Sequence, residues 1–280
     1  MIDNASTVPL AGRLDLSWHL QARHLQEPKL GKLNAWQLGM REAQADILLF
    51  VDDDNLLAPD FLEQALKVGM EWPFIGAWGG NIVPEFEKPL PAWVGDQVWR
   101  LTVIEVKTGI LGNHPEGYNL NPSITPPGAG LCVRRMVAQK YLERCRANTA
   151  SANLDRSGNG LGGYGDIDLA YCAFDLGLGT GKSPKLSLMH LIPAGRLTLD
   201  YFVRHAEGDA ASMMLFRASR NLPIQKPRPM TWLHRVRWFL HRLIHRVPSE
   251  QHEIAKAHQR GLEKGWELVQ NYLKTKSNLH

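Results

Sequence analysis

Ile47-Leu48-Leu49-Phe50-Val51, followed at once by Asp52-Asp53-Asp54-Asn55, is the stretch on which the fold turns. Five apolar residues in a row, closed by a polar turn, are the pattern of a strand buried on both faces, and such strands belong to parallel sheets covered by helices. Working outward, residues 19–43 carry a helical pattern that strengthens after Gly31. Pro59 opens a helix over 59–70 with Phe61, Leu62, Ala65, Leu66 and Met70 on one face, and 74–83 reads as the next strand, interrupted by Gly79-Gly80. Helix, strand, helix, strand is α/β order. It places three carboxylates at the carboxyl end of a strand, where open α/β sheets bind ligands.

Farther along, 84–130 is rich in Pro and Gly and holds little regular pattern beyond 98–106. A helix is expected over 134–144, a Gly/Asn/Ser-rich loop over 148–165, a helix over 166–176, a strand over 185–190 and a helix over 200–219. A hinge at 223–229 precedes two more helices. Trp78, Trp93 and Trp99 serve either to stack on a bound ligand or to pack the core, with core packing expected for at least two.

The chain has 280 residues, 44% hydrophobic and 21% charged, which is globular composition and excludes disordered, collagenous and fibrous classes. Three widely spaced cysteines make neither a disulfide framework nor a paired metal site, which fits a reduced, cytoplasmic setting. No apolar run reaches the length of a spanning helix. The net charge of +4 is local: residues 210–249 contain eight Lys or Arg and no Asp or Glu, and the rest carries 24 basic against 28 acidic residues. A generally basic nucleic-acid-binding face is therefore excluded. Within the basic segment, 231–247 alternates Trp232, Val236, Phe239, Leu240 and Leu243 with Arg235, Arg237, His241, Arg242 and Arg246 at helical spacing. That pattern fits a helix lying on an anionic membrane surface, peripheral on its inner face, or a helix packed on the body with its arginines in water.

Adjacent carboxylates repel, and no neighbouring residue neutralises Asp52, Asp53 and Asp54. A divalent cation with oxygen ligands would do so; the other reading is a polar turn that caps the next helix.

The motifs then resemble those of family 2 glycosyltransferases, whose fold is GT-A. Phe50 to Asn55 resembles the family's DXD motif. Asp3-Asn4-Ala5-Ser6-Thr7 is similar to its Asp-Asn-x-Ser-Thr segment, and Gly31-Lys32 with Ala35 and Gly39 to the helix before the DXD strand. Gly128 to Arg135 resembles the mid-chain segment ending in paired arginines, Gly165-Asp166-Ile167-Asp168-Leu169 the Glu-Asp-x-Asp-Leu motif, and His190-Leu191-Ile192-Pro193 with Arg196-Leu197-Thr198 the late His-x-Ile-Pro and Arg-Leu-Thr segments. The six stand in the family's order over about residues 2–220. Two departures are evident: Gly165 stands where the family has Glu, and the chain begins inside the Asp-Asn-x-Ser-Thr segment, without the family's opening strand, helix and second strand.

The resemblance implies a GT-A-like α/β fold, with a mostly parallel sheet flanked by helices and a helical C-terminal extension. It divides the chain into a nucleotide-sugar-binding part over 1–83, an acceptor and catalytic part over 84–222 and the basic amphipathic extension over 223–280. It implies a metal-dependent, inverting transfer from a nucleotide-sugar donor to a glycan or lipid-linked acceptor, of the polysaccharide-building kind. Asp3 would contact the nucleobase, Lys32 would lie near the nucleotide, Asp52 would face the ribose and Asp53 the donor. Asp54 and His190 would bind Mg²⁺ or Mn²⁺, and Asp166 would be the general base. Asp168 is either acceptor-side or a first-turn helix carboxylate. A non-catalytic scaffold that keeps the sheet but holds no nucleotide is the second class of function.

Overall fold

The computed structural model describes residues 1–112, 121–148, 154, 161, 163–228 and 248–277. The basic segment 231–247 and most of the loop 148–165 lie outside them. Strands β1 (Ile2–Asp3) and β2 (Leu25–Gln26) pair in parallel as a small separate sheet. The main sheet contains β3 (Ile47–Phe50), β4 (Asn55–Leu57), β5 (Ile75–Phe86), β6 (Ile110–Gly112), β7 (Leu131–Arg134) and β8 (Gly179–Ile192). Its order is β3-β7-β5-β8-β4, with β6 also on β8. The helices are α1 (Lys32–Glu42), α2 (Phe61–Glu71), α3 (Arg135–Ala147), α4 (Gly165–Asp175), α5 (Leu199–Ser219) and α6 (Ser249–Ser277).

An α/β sheet flanked by helices, with a helical C-terminal end, is therefore present. The mostly parallel pairing is corrected: among the described residues of the main sheet β5 and β8 pair in parallel, and the other four ladders are antiparallel. The reason lies in the connections. β3 and β5 run the same way, as expected, but β7 enters between them from the carboxyl end of β3, where Phe50 pairs with Leu131. The chain leaves the carboxyl end of β5, and β7 starts from that side of the sheet, so the inserted strand runs opposite to both neighbours.

Alternation along the strands divides the core. Leu48, Phe50, Ala77, Leu131 and Val133 face one side with Leu33, Trp36 and Met40 of α1 and with α3 and α4. Cys132, Trp78 and Ile82 face the other with Phe61, Ala65 and Val68 of α2. The α2 face differs from the expected one: Phe61 and Ala65 are buried, but Leu62, Leu66 and Met70 are exposed. Two adjacent apolar stripes exist, and only one can meet the sheet. The three cysteines are buried and unbridged.

A third cluster joins Val94 and Leu101 of the 3₁₀ segment Ala92–Leu101 to Tyr201, Phe202 and Ala206 of α5 and Ile254 and Ala257 of α6. Helix α6 packs on α5, where Gly261 and Gly265 lie against Ala210 and Met214 so closely that a β-carbon at either would collide. Trp78 is fully buried and Trp93 stacks edge-on against Phe202, while Trp99 is half exposed under Arg100. No helix among the described residues is long and apolar enough to cross a membrane.

Candidate functional site

The carboxylates leave the sheet at the end of β3 and fold back at once into β4. Asn55 fastens this turn: its N–H donates to Asp52 O at 3.1 Å, its Oδ1 accepts from Asp52 N at 3.4 Å, and its Nδ2 donates to Asp54 Oδ1 at 3.0 Å. Leu191 N donates to Asp54 O at 2.8 Å, which ties the turn to β8. Asp53 is exposed at the tip. Lys32, in the first turn of α1, donates to Asp52 Oδ2 at 2.6 Å and lies 4.7 Å from the centre of the Trp36 ring.

Register brings His190 to this turn. In the last part of β8, Leu186, Leu188, His190 and Ile192 alternate inward, so His190 takes a core-facing position and is 5% exposed. It pairs across the ladder with Asn55, next to Asp54. His190 Nε2 lies 3.5 Å from Asp54 Oδ2. Arg196, in the 3₁₀ turn Ala194–Leu197, reaches both, with Nη2 2.9 Å from Asp54 Oδ2 and Nη1 3.0 Å from His190 Nε2. A guanidinium only donates, so His190 meets it with the Nε2 lone pair and carries its proton on Nδ1, a buried atom with no partner among the described residues. Burial by itself would raise the Asp54 carboxyl, and the Arg196 guanidinium beside it pulls it down, below the usual carboxylate range.

This donor set suits a divalent cation. Two ligands at ~2.1 Å from one ion stand ~3.0–3.5 Å apart, and Asp54 Oδ2 and His190 Nε2 are at the upper end of that spacing. No group of three or more His, Cys, Asp or Glu side chains able to hold a metal occurs among the described residues. The fit is thus to an ion of the Mg²⁺ or Mn²⁺ kind, which takes one or two protein ligands and completes its shell with phosphate and water.

Asp166 opens α4. Its Oδ2 accepts from Gly128 N at 2.8 Å and its Oδ1 from Ile167 N at 2.8 Å. A β-carbon at Gly128 would touch both Asp166 and the Trp36 ring, and Trp36 lies beneath Lys32. A short chain of contacts thus runs from Asp52 through Lys32, Trp36 and Gly128 to Asp166. Gly165 has a steric cause: a β-carbon there would lie 2.4 Å from Leu33 of α1, so α1 fills the space a glutamate would need.

Four other residues named in the motifs lie outside this cluster. Asp168 lies in the first turn of α4. It is fully buried, with Arg220 Nε at 2.5 Å from Oδ1 and Arg144 Nε at 3.2 Å from both oxygens. It is the first-turn carboxylate of one expected reading, and through its two arginines it joins α4 to α3 and to the residue that ends α5. Asp3, expected at the nucleobase, is 3% exposed and turned into its own loop: Oδ1 accepts from Ser6 N at 3.1 Å and Oδ2 from Leu10 N at 3.0 Å. Hydrogen bonds from Ser6 and Leu10 keep its carboxyl below the usual range. Of the paired arginines, Arg134 donates to the carbonyls of Gly69, Trp72 and Ile75 at the end of α2, and Arg135 to Ala45 O and Asp46. Both serve the opposite end of β3.

The functional residues that the sequence reading passed over are Arg196 and Asn55. Arg196 follows His190 by six positions across Pro193, a spacing without a helical or strand period; the only signal was its place in the Arg-Leu-Thr segment.

Residues 1–119 match the family model described as Glycosyl transferase family 2. No curated protein matches the chain. Two solved structures are similar. One, titled "Crystal Structure of a Mycobacterial Protein", has 16% identity over 80% of this chain and 65% of its own, with a TM-score of 0.38. The other, GalNAc-T7 with UDP, GalNAc and Mn²⁺, has 14% identity over 97% of this chain and 51% of its own, with a TM-score of 0.44. The chain spans less than two thirds of the length of either. The matched stretch, which contains the carboxylate turn and Lys32, is similar to family 2 glycosyltransferases.

Proposed function

We propose that the chain transfers a sugar, with inversion, from a nucleotide-sugar donor to a glycan or lipid-linked acceptor, using Mg²⁺ or Mn²⁺ held by Asp54 and His190. The observation that carries this reading is the 3.5 Å approach of those two side chains from positions 136 apart in the chain. When bound, the cation supplies positive charge against the diphosphate leaving group. Lys32 and Asp52 border the donor on the α1 side, with Asp53 at the exposed tip. Asp3 shapes the loop of residues 4–10 that would flank the base. Asp166 takes the proton of the acceptor hydroxyl, and its Oδ2 is aimed by the Gly128 N–H. Attack from the face opposite the departing diphosphate inverts the anomeric carbon. The anionic membrane surface belongs to this proposal through the sequence of 231–247 alone.

The test is calorimetric titration of the chain with UDP-, GDP- and dTDP-sugars, with and without Mn²⁺, followed by turnover of the one that binds. The expected result is binding that needs Mn²⁺ and is lost in Asp54→Ala. Absence of binding across the panel would overturn the enzyme reading in favour of a non-catalytic scaffold.

A further inference from the structure

Arg196 occupies the place that the proposed metal needs. Its guanidinium uses two nitrogens on two different residues, Nη2 on Asp54 Oδ2 at 2.9 Å and Nη1 on His190 Nε2 at 3.0 Å. These are the same oxygen and nitrogen that would ligate a divalent ion. A lone pair that accepts an N–H cannot also bind a metal. A guanidinium in contact with both atoms would also leave an ion ~2.1 Å from each of them within touching distance of a like charge. The two cations exclude each other on steric and electrostatic grounds.

The surroundings let the side chain leave. Arg196 sits in a single 3₁₀ turn, Ala194–Leu197, fastened by Arg196 N to Pro193 O at 2.9 Å and Ala194 N to Glu87 Oε2 at 2.6 Å. A β-carbon added at neighbouring Gly195 would meet nothing within 4 Å, so the turn borders open space. The Arg196 side chain is itself 27% exposed, and a long side chain can reach water by rotamer change alone. Asp54 and His190 are held by the β4–β8 ladder and do not have this freedom.

We infer that Arg196 is a built-in occupant of the cation seat, which neutralises Asp54 and covers the His190 lone pair until a divalent ion displaces it. The apparent metal affinity of the chain is then set by the competition between this arginine and the ion. The inference rests on the proposal that Asp54 and His190 are metal ligands.

The test is the binding of Mn²⁺ alone to the full chain, without nucleotide, followed by electron paramagnetic resonance of the free ion. Wild type is compared with Arg196→Ala, Arg196→Gln, Asp54→Ala and His190→Ala, each checked for folding by circular dichroism. If the arginine fills the seat nine-tenths of the time, its removal tightens Mn²⁺ binding about tenfold. The expected result is tighter binding in Arg196→Ala, with Arg196→Gln carrying the test if the alanine variant does not fold, and weaker binding in Asp54→Ala and His190→Ala. Unchanged or weaker binding in both Arg196 variants, while Asp54→Ala and His190→Ala still lose the ion, overturns the role of Arg196 and leaves the metal site standing. Mn²⁺ binding that is indifferent to Asp54 and His190, or absent from wild type and the Arg196 variants alike, overturns the metal site and this inference with it.

Discussion

Gly128 donates its backbone N–H to Asp166 Oδ2 across 2.8 Å, so the proposed base is aimed by a loop 38 positions earlier in the chain. A backbone donor fixes the direction of the carboxylate without supplying a competing charge. Asp166→Asn keeps the size of the side chain and removes its ability to take a proton. It should lower turnover by about 10²–10⁴-fold while leaving nucleotide affinity nearly unchanged. The measurement is initial rate and calorimetric affinity on the same preparation; ordinary turnover in the variant would move the base elsewhere.

Asp168 predicts a different phenotype from its neighbour two residues away. It is buried between Arg144 and Arg220, and Arg220 also reaches Asp175. Removing the central carboxylate leaves two guanidinium groups without their common partner, at a cost of about 3–5 kcal/mol. Asp168→Asn should lower the urea midpoint sharply and reduce activity only in proportion to the folded fraction. A variant of wild-type stability with lost turnover would restore a direct role in the reaction.

Gly165 is set by packing against Leu33. Gly165→Ala should cost about 1–3 kcal/mol, as overpacked cores do, and Gly165→Glu more. Leu33→Ala in the Gly165→Ala background should recover part of the loss, because the two side chains compete for one space. Additive losses in a double-mutant cycle by urea denaturation would show that the clash is not the cause.

Asp209 on α5 gives a signed dependence on pH. Burial, opposed by Arg100 and helped by Asp166, raises its carboxyl from 3.8 to about 6. The folded chain therefore holds this proton to higher pH than the unfolded chain does. Stability falls as pH climbs through the window from 3.8 to about 6, and the penalty is complete above it. Asp209→Asn, which cannot ionise, should stabilise the protein by about 1–3 kcal/mol at about pH 8 and bring almost no gain at about pH 3. Urea midpoints at the two pH values check this; an equal effect at both would show that ionisation of Asp209 is not responsible.

The elements legible in the sequence were those whose period is local and long enough to read. The run 47–51, the helices near 32–42 and 199–219 and the carboxylate turn all followed from neighbours within a few positions. β7 and β4 were not legible, because four and three residues carry no usable period and both pair with segments far away in the chain. α2 offered two apolar stripes one residue apart, and nothing within 61–71 distinguishes the one that meets Trp78 and Ile47 from the one in water. The paired arginines were visible as residues but not as braces for α2 and β3, because all their acceptors but Asp46 are backbone carbonyls, which leave no trace in residue identity.

By itself the amino-acid sequence determined that an apolar strand ends in three carboxylates, that helices flank it and that a histidine lies near the end of a later strand. Those are consequences of hydrophobic period and turn chemistry, which act between near neighbours. Only the tertiary structure decided that His190 faces inward opposite Asn55, that Arg196 reaches into the gap between His190 and Asp54, and that Asp168 is spent on two arginines. Each of these depends on ladder register or on helices meeting across the sheet, and a one-residue shift of β8 would have turned His190 to the other face.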